Sequence, residues 1–170
     1  MKKKRKISKL IRAVLRGLTF LFPENYFLVT THIRVVSDRL PKEFDGFRIL
    51  QISDLHGCSF GRGNRRLLAA VERSRPDLIA MTGDMADRRI RDLGPTAALV
   101  HTLCGRYPVY FVEGNHEQTL GGERRDWFEG EMRAAGARIL RNASAELRRG
   151  SASIRLCGVR VPLRYYRAGV

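Results

Sequence analysis

Three short stretches of the 170-residue chain carry side chains that ligate metals or move protons: Asp54-Leu55-His56, Gly83-Asp84-Met85-Ala86-Asp87 and Gly114-Asn115-His116-Glu117. Taken singly, each is ordinary, because Asn and Gly are common turn residues and a lone His is more often a satisfied polar group than a catalyst. What sets them apart is position. Each follows a short apolar run, so one kind of element delivers all three.

In an extended chain, alternation places Asp54 and His56 on one side and Leu55 on the other, which makes the first two a metal-binding pair. Asp84 can bridge two cations with its two carboxylate oxygens, while Gly83 lets the backbone turn without a Cβ clash. Asn115 offers a neutral carbonyl oxygen suited to a second divalent ion. Two ions about 3.5 to 4 Å apart can hold a hydroxide and stabilise the entering and leaving oxygens at phosphorus. His116 need not be a ligand: beside Asn115 it is placed to protonate a leaving alkoxide or to stabilise phosphoryl charge, with Asp87 or Glu117 holding its ring. Arg88 is either a phosphate contact or a solvated arginine.

The elements that must position these residues follow from periodicity. Residues 47–54 (FRILQISD), 77–84 (DLIAMTGD) and the run VYFVEGN that ends at Asn115 read as buried strands. Between them, 64–75 and 95–104 are patterned as helices, giving a βαβ rhythm and a parallel sheet. Parallel strands bring their carboxyl ends to one edge, where open α/β sheets bind ligands, so the three motifs should converge. A helix is expected over 123–136, with short strands at 137–140 and 151–159 and a turn near Arg149-Gly150. The alternating stretch 26–41 (YFLVTTHIRVVSDRLP) predicts one long strand or a hairpin pair, with His32 structural. His101, inside the second helix, is expected to be partly buried.

Composition bounds the rest. With 44% hydrophobic and 29% charged residues, the chain is globular and long enough for one core. Eight basic residues and no acid fall among the first twenty, more than half of the net charge of +15. There Ile7, Leu10, Ile11, Val14, Leu15, Leu18, Leu21 and Phe22 recur at helical spacing, so 1–23 reads as a basic amphipathic leader helix that Pro23 stops, and 24–170 as the domain. The longest uncharged stretch there, Gly17 to Pro23, falls far below the roughly 20 apolar residues a spanning helix needs; residues 1–22 are instead expected to lie in an anionic membrane surface, the alternatives being a solvated or protein-docked helix and a degenerate signal anchor. A nucleic-acid partner is disfavoured, since the basic excess sits in that leader and no basic groove interleaved with aromatics is present. Cys58, Cys104 and Cys157 are odd in number and widely spaced, which excludes a disulfide framework and a zinc ribbon; Cys58 is expected to be a small apolar filler.

The blocks ISDLHG, MTGDMAD and VEGNHE resemble the first three signatures of the calcineurin-like metallophosphoesterases: Asp-x-His, Gly-Asp-x-x-Asp and Gly-Asn-His-Glu, in that order. The flanking text RLPKEFDGFRILQISDLHG, FGRGN and LCGVRVPLRYY is similar to the bacterial membrane-associated branch, which includes general phosphodiesterases and UDP-2,3-diacylglucosamine pyrophosphatases. The resemblance covers about residues 26 to 166. It implies the N-terminal part of an α/β/β/α sandwich, with Asp54, His56 and Asp84 on a first divalent ion, Asp84 and Asn115 on a second, His116 as the catalytic imidazole and Asp87 as its orienting carboxylate. The ions are manganese, iron, zinc or magnesium, which this donor set does not distinguish. The implied substrate is a phosphodiester or pyrophosphate, extending to a lipid-linked nucleotide, and the chain is expected either peripherally at the cytoplasmic face of a membrane or in the cytoplasm.

The resembling family goes on to a lone His block and a Gly-His-x-His block, whereas this chain has four His and none after His116. On that pattern the second metal site is under-coordinated and one sheet face is left uncovered. The implied explanation is truncation of a longer gene or a fragmentary reading of it. The competing expectation is a catalytically inactive metal-binding or membrane-docking remnant.

Overall fold

The computed structural model describes residues 28–167. The chain divides into two units, 1–31 and 32–170. Of the first, residues 28–31 are described and are coil; the expected leader helix at 1–23 lies outside the described residues. Among the described residues no helix is long and apolar enough to cross a membrane.

The second unit is built on a four-stranded parallel sheet of β1 (Ile49–Ile52), β2 (Leu78–Met81), β3 (Val109–Phe111) and β4 (Arg138–Ile139), adjacent in chain order. Between the strands run α1 (Arg65–Ser74), α2 (Gly94–Cys104), the short α3 (Asn115–Gln118) and α4 (Gly122–Ala134). An unreversed order joined by right-handed crossovers puts the connecting helices on one face of the sheet. Strand alternation supplies that face: Ile79, Met81 and Phe111 are buried, and Phe111 meets Phe128 of α4 edge-on at 6.4 Å. The helices answer with residues spaced three and four apart, Leu67, Ala70 and Val71 on α1 and Phe128 and Met132 on α4.

The alternate positions Leu78 and Tyr110 face a second layer with Phe44, Leu140 and Leu147. That layer is the antiparallel hairpin of β5 (Ala143–Arg149) and β6 (Ala152–Gly158), whose Ala145, Ala152, Ile154 and Leu156 pack against the same cluster. Gly158 lets the hairpin end seat on the sheet, since a Cβ there would fall 2.6 Å from the Leu140 carbonyl oxygen. A final short helix, α5 (Leu163–Arg167), follows. The expected uncovered face is therefore covered in part, while Ile49 (50% exposed) and Gln51 on β1 lie open.

Several expectations are corrected. Residues 28–37 form no strand, and Val29, Ile33, Val35 and Val36 are exposed, as is His32. Alternation permits a strand, but only lateral hydrogen bonds to a neighbour make one, and these residues have no such partner among those described. The first motif strand is not fully buried, because β1 is an edge strand paired on one side only. The strand at 143–149 was not anticipated from a sequence, ASAELRR, that is low in β-branched residues. His101 is exposed and pairs with Glu131 at 3.2 Å across the α2–α4 contact. Cys58 is exposed rather than an apolar filler.

Candidate metal centre

All three motifs reach the carboxyl edge of the sheet, but through tight turns rather than strand alternation. β1 ends at Ile52, and both Asp54 (φ 58°) and His56 (φ 47°) lie in the left-handed region, as does Asp84 (φ 55°) after β2. Three non-glycine residues in a sparsely populated conformation require a surrounding structure that holds them there, and such residues gather at functional sites. The holding bonds are backbone pairs that carry the parallel ladder past the strand ends: Thr82 N–H to Ile52 O (3.0 Å), Asp54 N–H to Gly83 O (3.2 Å), His56 N–H to Asp84 O (2.8 Å) and Gly57 N–H to Met85 O (2.8 Å). Leu55 is buried beneath them.

The β2 and β3 turns touch backbone to backbone because glycine stands on both sides. A Cβ at Gly83 (φ +96°) would fall 2.5 Å from Gly114 N, and one at Gly114 would fall 2.6 Å from Asp84 N. Glu117 fixes this contact. Its carboxylate, 2% exposed, accepts the N–H groups of Asp84 (2.9 Å) and Gly114 (2.8 Å) on Oε2 and of Ala86 (2.9 Å) on Oε1. It thus satisfies three backbone donors from two loops rather than holding the His116 ring. The His116 N–H in turn donates to Asp84 Oδ1 at 2.9 Å.

These constraints gather a donor set. One ligand atom from each of His56, Asp84 and His116 lies within 4.8 Å of the others, and Asp54 Oδ1 is 3.8 Å from His56 Nε2. Ser53 donates its hydroxyl to Asp54 Oδ2. The two imidazoles meet edge-on with centroids 4.5 Å apart. Nδ1 of His116 lies 3.1 Å and Nδ1 of His56 3.8 Å from one oxygen of buried Asp87, yet neither nitrogen has a well-directed hydrogen bond. With both Nδ1 atoms turned toward Asp87, the remaining donors, His56 beside Asp54 and the Asp84 carboxylate, fit a divalent cation, which needs neutral imidazole and ionised carboxylate together. Asn115 is half-buried and opens α3, one residue before His116.

Sequence reasoning singled out Arg88, which is exposed; the arginine that engages the site is Arg89. Its guanidinium grips Asp87 through Nε (3.0 and 3.2 Å) and Nη2 (2.6 Å), and its backbone N–H adds a bond of 2.8 Å. These bonds to Arg89, opposed by burial and aided by the charge of His116, hold the Asp87 carboxyl well below the usual carboxylate range. Asp-x-Arg across a turn was the available signal, obscured by the run Arg88-Arg89. Equally unforeseen is the support beneath β3, where buried Glu113 lies among Arg125 (2.8 Å), Arg141 (3.3 Å) and Arg160. Arg160 Nη2 also reaches Gln118 Oε1 (3.3 Å), and Gln118 donates to the Val161 carbonyl (2.9 Å), tying the segment after β6 to α3.

Comparison with known proteins agrees with this geometry. The calcineurin-like phosphoesterase profile matches residues 47–152, which include Asp54, His56, Asp84, Asp87, Asn115 and His116. An uncharacterized metallophosphoesterase of Aquifex aeolicus is 31% identical over 137 residues, 79% of this chain and 51% of that protein. One from Bacillus subtilis is 28% identical over 123 residues, covering 70% and 42%. A Danio rerio protein named as a transmembrane protein with metallophosphoesterase domain is 28% identical over 117 residues, covering 68% and 26%. The chain thus spans about half or less of the length of these relatives. With three signature blocks at one sheet edge and a profile match over most of its length, the chain belongs to the calcineurin-like phosphoesterase family.

Proposed function

We propose that this protein hydrolyses phosphodiester or pyrophosphate bonds, with Asp54, His56 and Asp84 holding one divalent ion and Asp84 with Asn115 holding a second. The observation that carries the reading is the gathering of His56 and Asp84, with Asp54 and His116 beside them, at the strand ends by left-handed turns. Divalent ions at such a site supply water activation and neutralisation of charge on the phosphoryl oxygens. The chain's own residues supply position and a proton. His116, with Nδ1 toward Asp87, keeps Nε2 to protonate the leaving oxygen, and Asp87 holds the ring in that orientation. Arg89 prevents that proton from being lost to Asp87 by keeping the carboxylate a weak base.

The test is turnover of bis(p-nitrophenyl) phosphate with manganese, alongside the metal content of the purified chain. Asp84→Asn should abolish turnover and lower metal content. His116→Ala should spare metal content while cutting turnover about a hundredfold or more. Equal loss of both in His116→Ala would make that residue a ligand, and normal turnover by Asp84→Asn would defeat the reading. We also place the reaction at the cytoplasmic face of a membrane, on a lipid-linked nucleotide, with residues 1–22 docked on anionic lipid; the amphipathic spacing of the leader supports this. Cosedimentation with phosphatidylglycerol vesicles that survives deletion of 1–22 would defeat the docking.

A further inference from the structure

Both groups that the proposed reaction takes from the third motif, Asn115 and His116, stand on α3, a helix of four residues. One turn does not hold itself, because nucleation fixes several residues for few hydrogen bonds. The backbone bonds here are Gln118 N–H to Gly114 O at 3.4 Å, Thr119 N–H to His116 O at 3.0 Å and Leu120 N–H to Glu117 O at 3.2 Å. On the N-terminal side Glu117 and Asp84 fix the turn to its β2 neighbour. The other end depends on the segment after β6.

From that segment a single guanidinium reaches both ends of the motif. Arg160 pairs through Nε with Oε1 of Glu113, the residue before Gly114, and donates from Nη2 to Oε1 of Gln118, the last residue of α3, at 3.3 Å. The Gln118 amide completes the bracket by donating to the carbonyls of Val161 (2.9 Å) and Gly114 (3.3 Å). Arg160 is itself fixed, since its N–H donates to Asn142 Oδ1 at 2.9 Å and Gly158 lies against the Leu140 carbonyl. Arg125 and Arg141 also pair with Glu113, but among the described residues neither bonds to α3, and Arg141 turns to Glu129 instead (2.7 Å).

We infer that Arg160 is a positioning residue for the reaction: by bracketing Glu113 and Gln118 it holds Asn115 and His116 at the sheet edge, which makes the segment after β6 part of the working site. Arg160 lies 42 residues beyond Gln118 and outside residues 47–152 that the phosphoesterase profile matches, so family membership does not supply this role. The inference rests on the phosphoesterase reading for what Asn115 and His116 do, but the bracket itself is tested without turnover.

Arg160→Lys keeps a charge opposite Glu113 but cannot fork to Gln118, and Gln118→Leu removes the other partner. In the full chain in EDTA, amide hydrogen exchange followed by NMR should run about tenfold faster in either variant at the N–H groups of His116, bonded to Asp84 Oδ1, and Thr119. Exchange at the Ile79 N–H, bonded to Pro108 O within the sheet, should stay unchanged. With manganese, kcat on bis(p-nitrophenyl) phosphate should fall about tenfold or more with KM within about twofold, because the bracket sets the geometry of the reacting groups and touches no substrate. Arg160→Lys/Gln118→Leu should lose no more than either change alone. Arg141→Lys, which alters the hold on Glu113 without a bond to α3, should leave His116 exchange and kcat within about twofold. Equal acceleration in Arg141→Lys would reduce Arg160 to one of three cations that stabilise Glu113 and overturn the inference. So would unchanged His116 exchange in Arg160→Lys, or acceleration that reaches Ile79 equally. Absence of manganese-dependent turnover in the parent would count against the phosphoesterase reading, and the exchange result would still decide the bracket.

Discussion

Replacing Glu117 with Gln should unfix the metal centre without touching a single proposed ligand. The carboxylate accepts three backbone N–H groups, two on Oε2 and one on Oε1. A glutamine keeps its carbonyl oxygen toward Asp84 and Gly114 and turns its NH2 onto the Ala86 N–H, which is fully buried and out of reach of water. That loses one charge-assisted bond and leaves two donors facing each other, while the two retained bonds become neutral. At about 1.5 to 3 kcal/mol for a bond to a charged group, and more for a buried donor left unpaired, the expected loss is about 3 kcal/mol. For a domain of this size that lowers Tm by about 6 to 12 °C. Because Asp84 and Gly114 are held by the same oxygen, manganese affinity should also fall by about tenfold, as for other residues that orient ligands. Glu117→Ala, which orphans all three donors, should be worse on both counts, and Glu123→Gln, on the exposed first turn of α4, should change neither. Urea denaturation and calorimetric manganese titration read the two quantities. A Glu117→Gln chain within about 0.5 kcal/mol of the parent, with unchanged manganese affinity, would refute the assignment of this carboxylate as the clamp between the loops.

Three further predictions follow from neighbouring contacts. Gly83→Ala adds a Cβ 2.5 Å from Gly114 N at a φ of +96°, so it should cost about 3 kcal/mol or more and abolish manganese binding; a folded chain that still binds manganese in calorimetry would show that the two turns separate easily. Glu113→Gln leaves three guanidiniums around a neutral group, and because they are each about a third exposed the loss should fall near the low end of the buried-pair range, about 3 kcal/mol by urea denaturation. Glu129 is raised by burial, but Arg133 and Arg141 more than offset this and hold it below the usual carboxylate range, so its contribution is present above the unfolded value near pH 4.5 and lost as pH falls through the lower folded value. Glu129→Gln should accordingly cost about 1 kcal/mol at pH 7, with the gap to the parent narrowing as pH drops below about 4.5 in urea titrations.

The legible part of this fold is the part in which one local pattern has one solution. The apolar runs ending at Thr82 and Val112 are too short for helices and are bounded by polar turns, so β2 and β3 could be read directly, and the three-and-four spacing of Leu67, Ala70 and Val71 fixed α1. That the three motifs reach one edge of the sheet followed from parallel topology. The illegible part depends on partners far away in sequence. Residues 28–37 have strand composition but no neighbour, whereas Ala143–Arg149 has poor strand composition and becomes a strand because Ala152–Gly158 offers seven registered partners.

The site shows the same division between residue type and arrangement. Alternation put Asp54 and His56 on one side for a reason that does not apply, since both lie beyond the end of β1 with positive φ. Their proximity instead comes from loop-to-loop backbone bonds that no local pattern encodes. Those bonds need the β2 turn to be held in place, and Glu117, 31 and 33 residues from its Ala86 and Asp84 donors, does so. A carboxylate beside a histidine in sequence suggests ring orientation, the role that Asp87 is positioned for at 3.1 Å while Arg89 keeps it ionised. The two acids are thus of one type and close to one imidazole, but only Asp87 faces it; Glu117 points back at the main chain. What separates their work is whether backbone N–H groups or side-chain cations surround each carboxylate, a property of the assembled turns and not of either residue's neighbours in sequence.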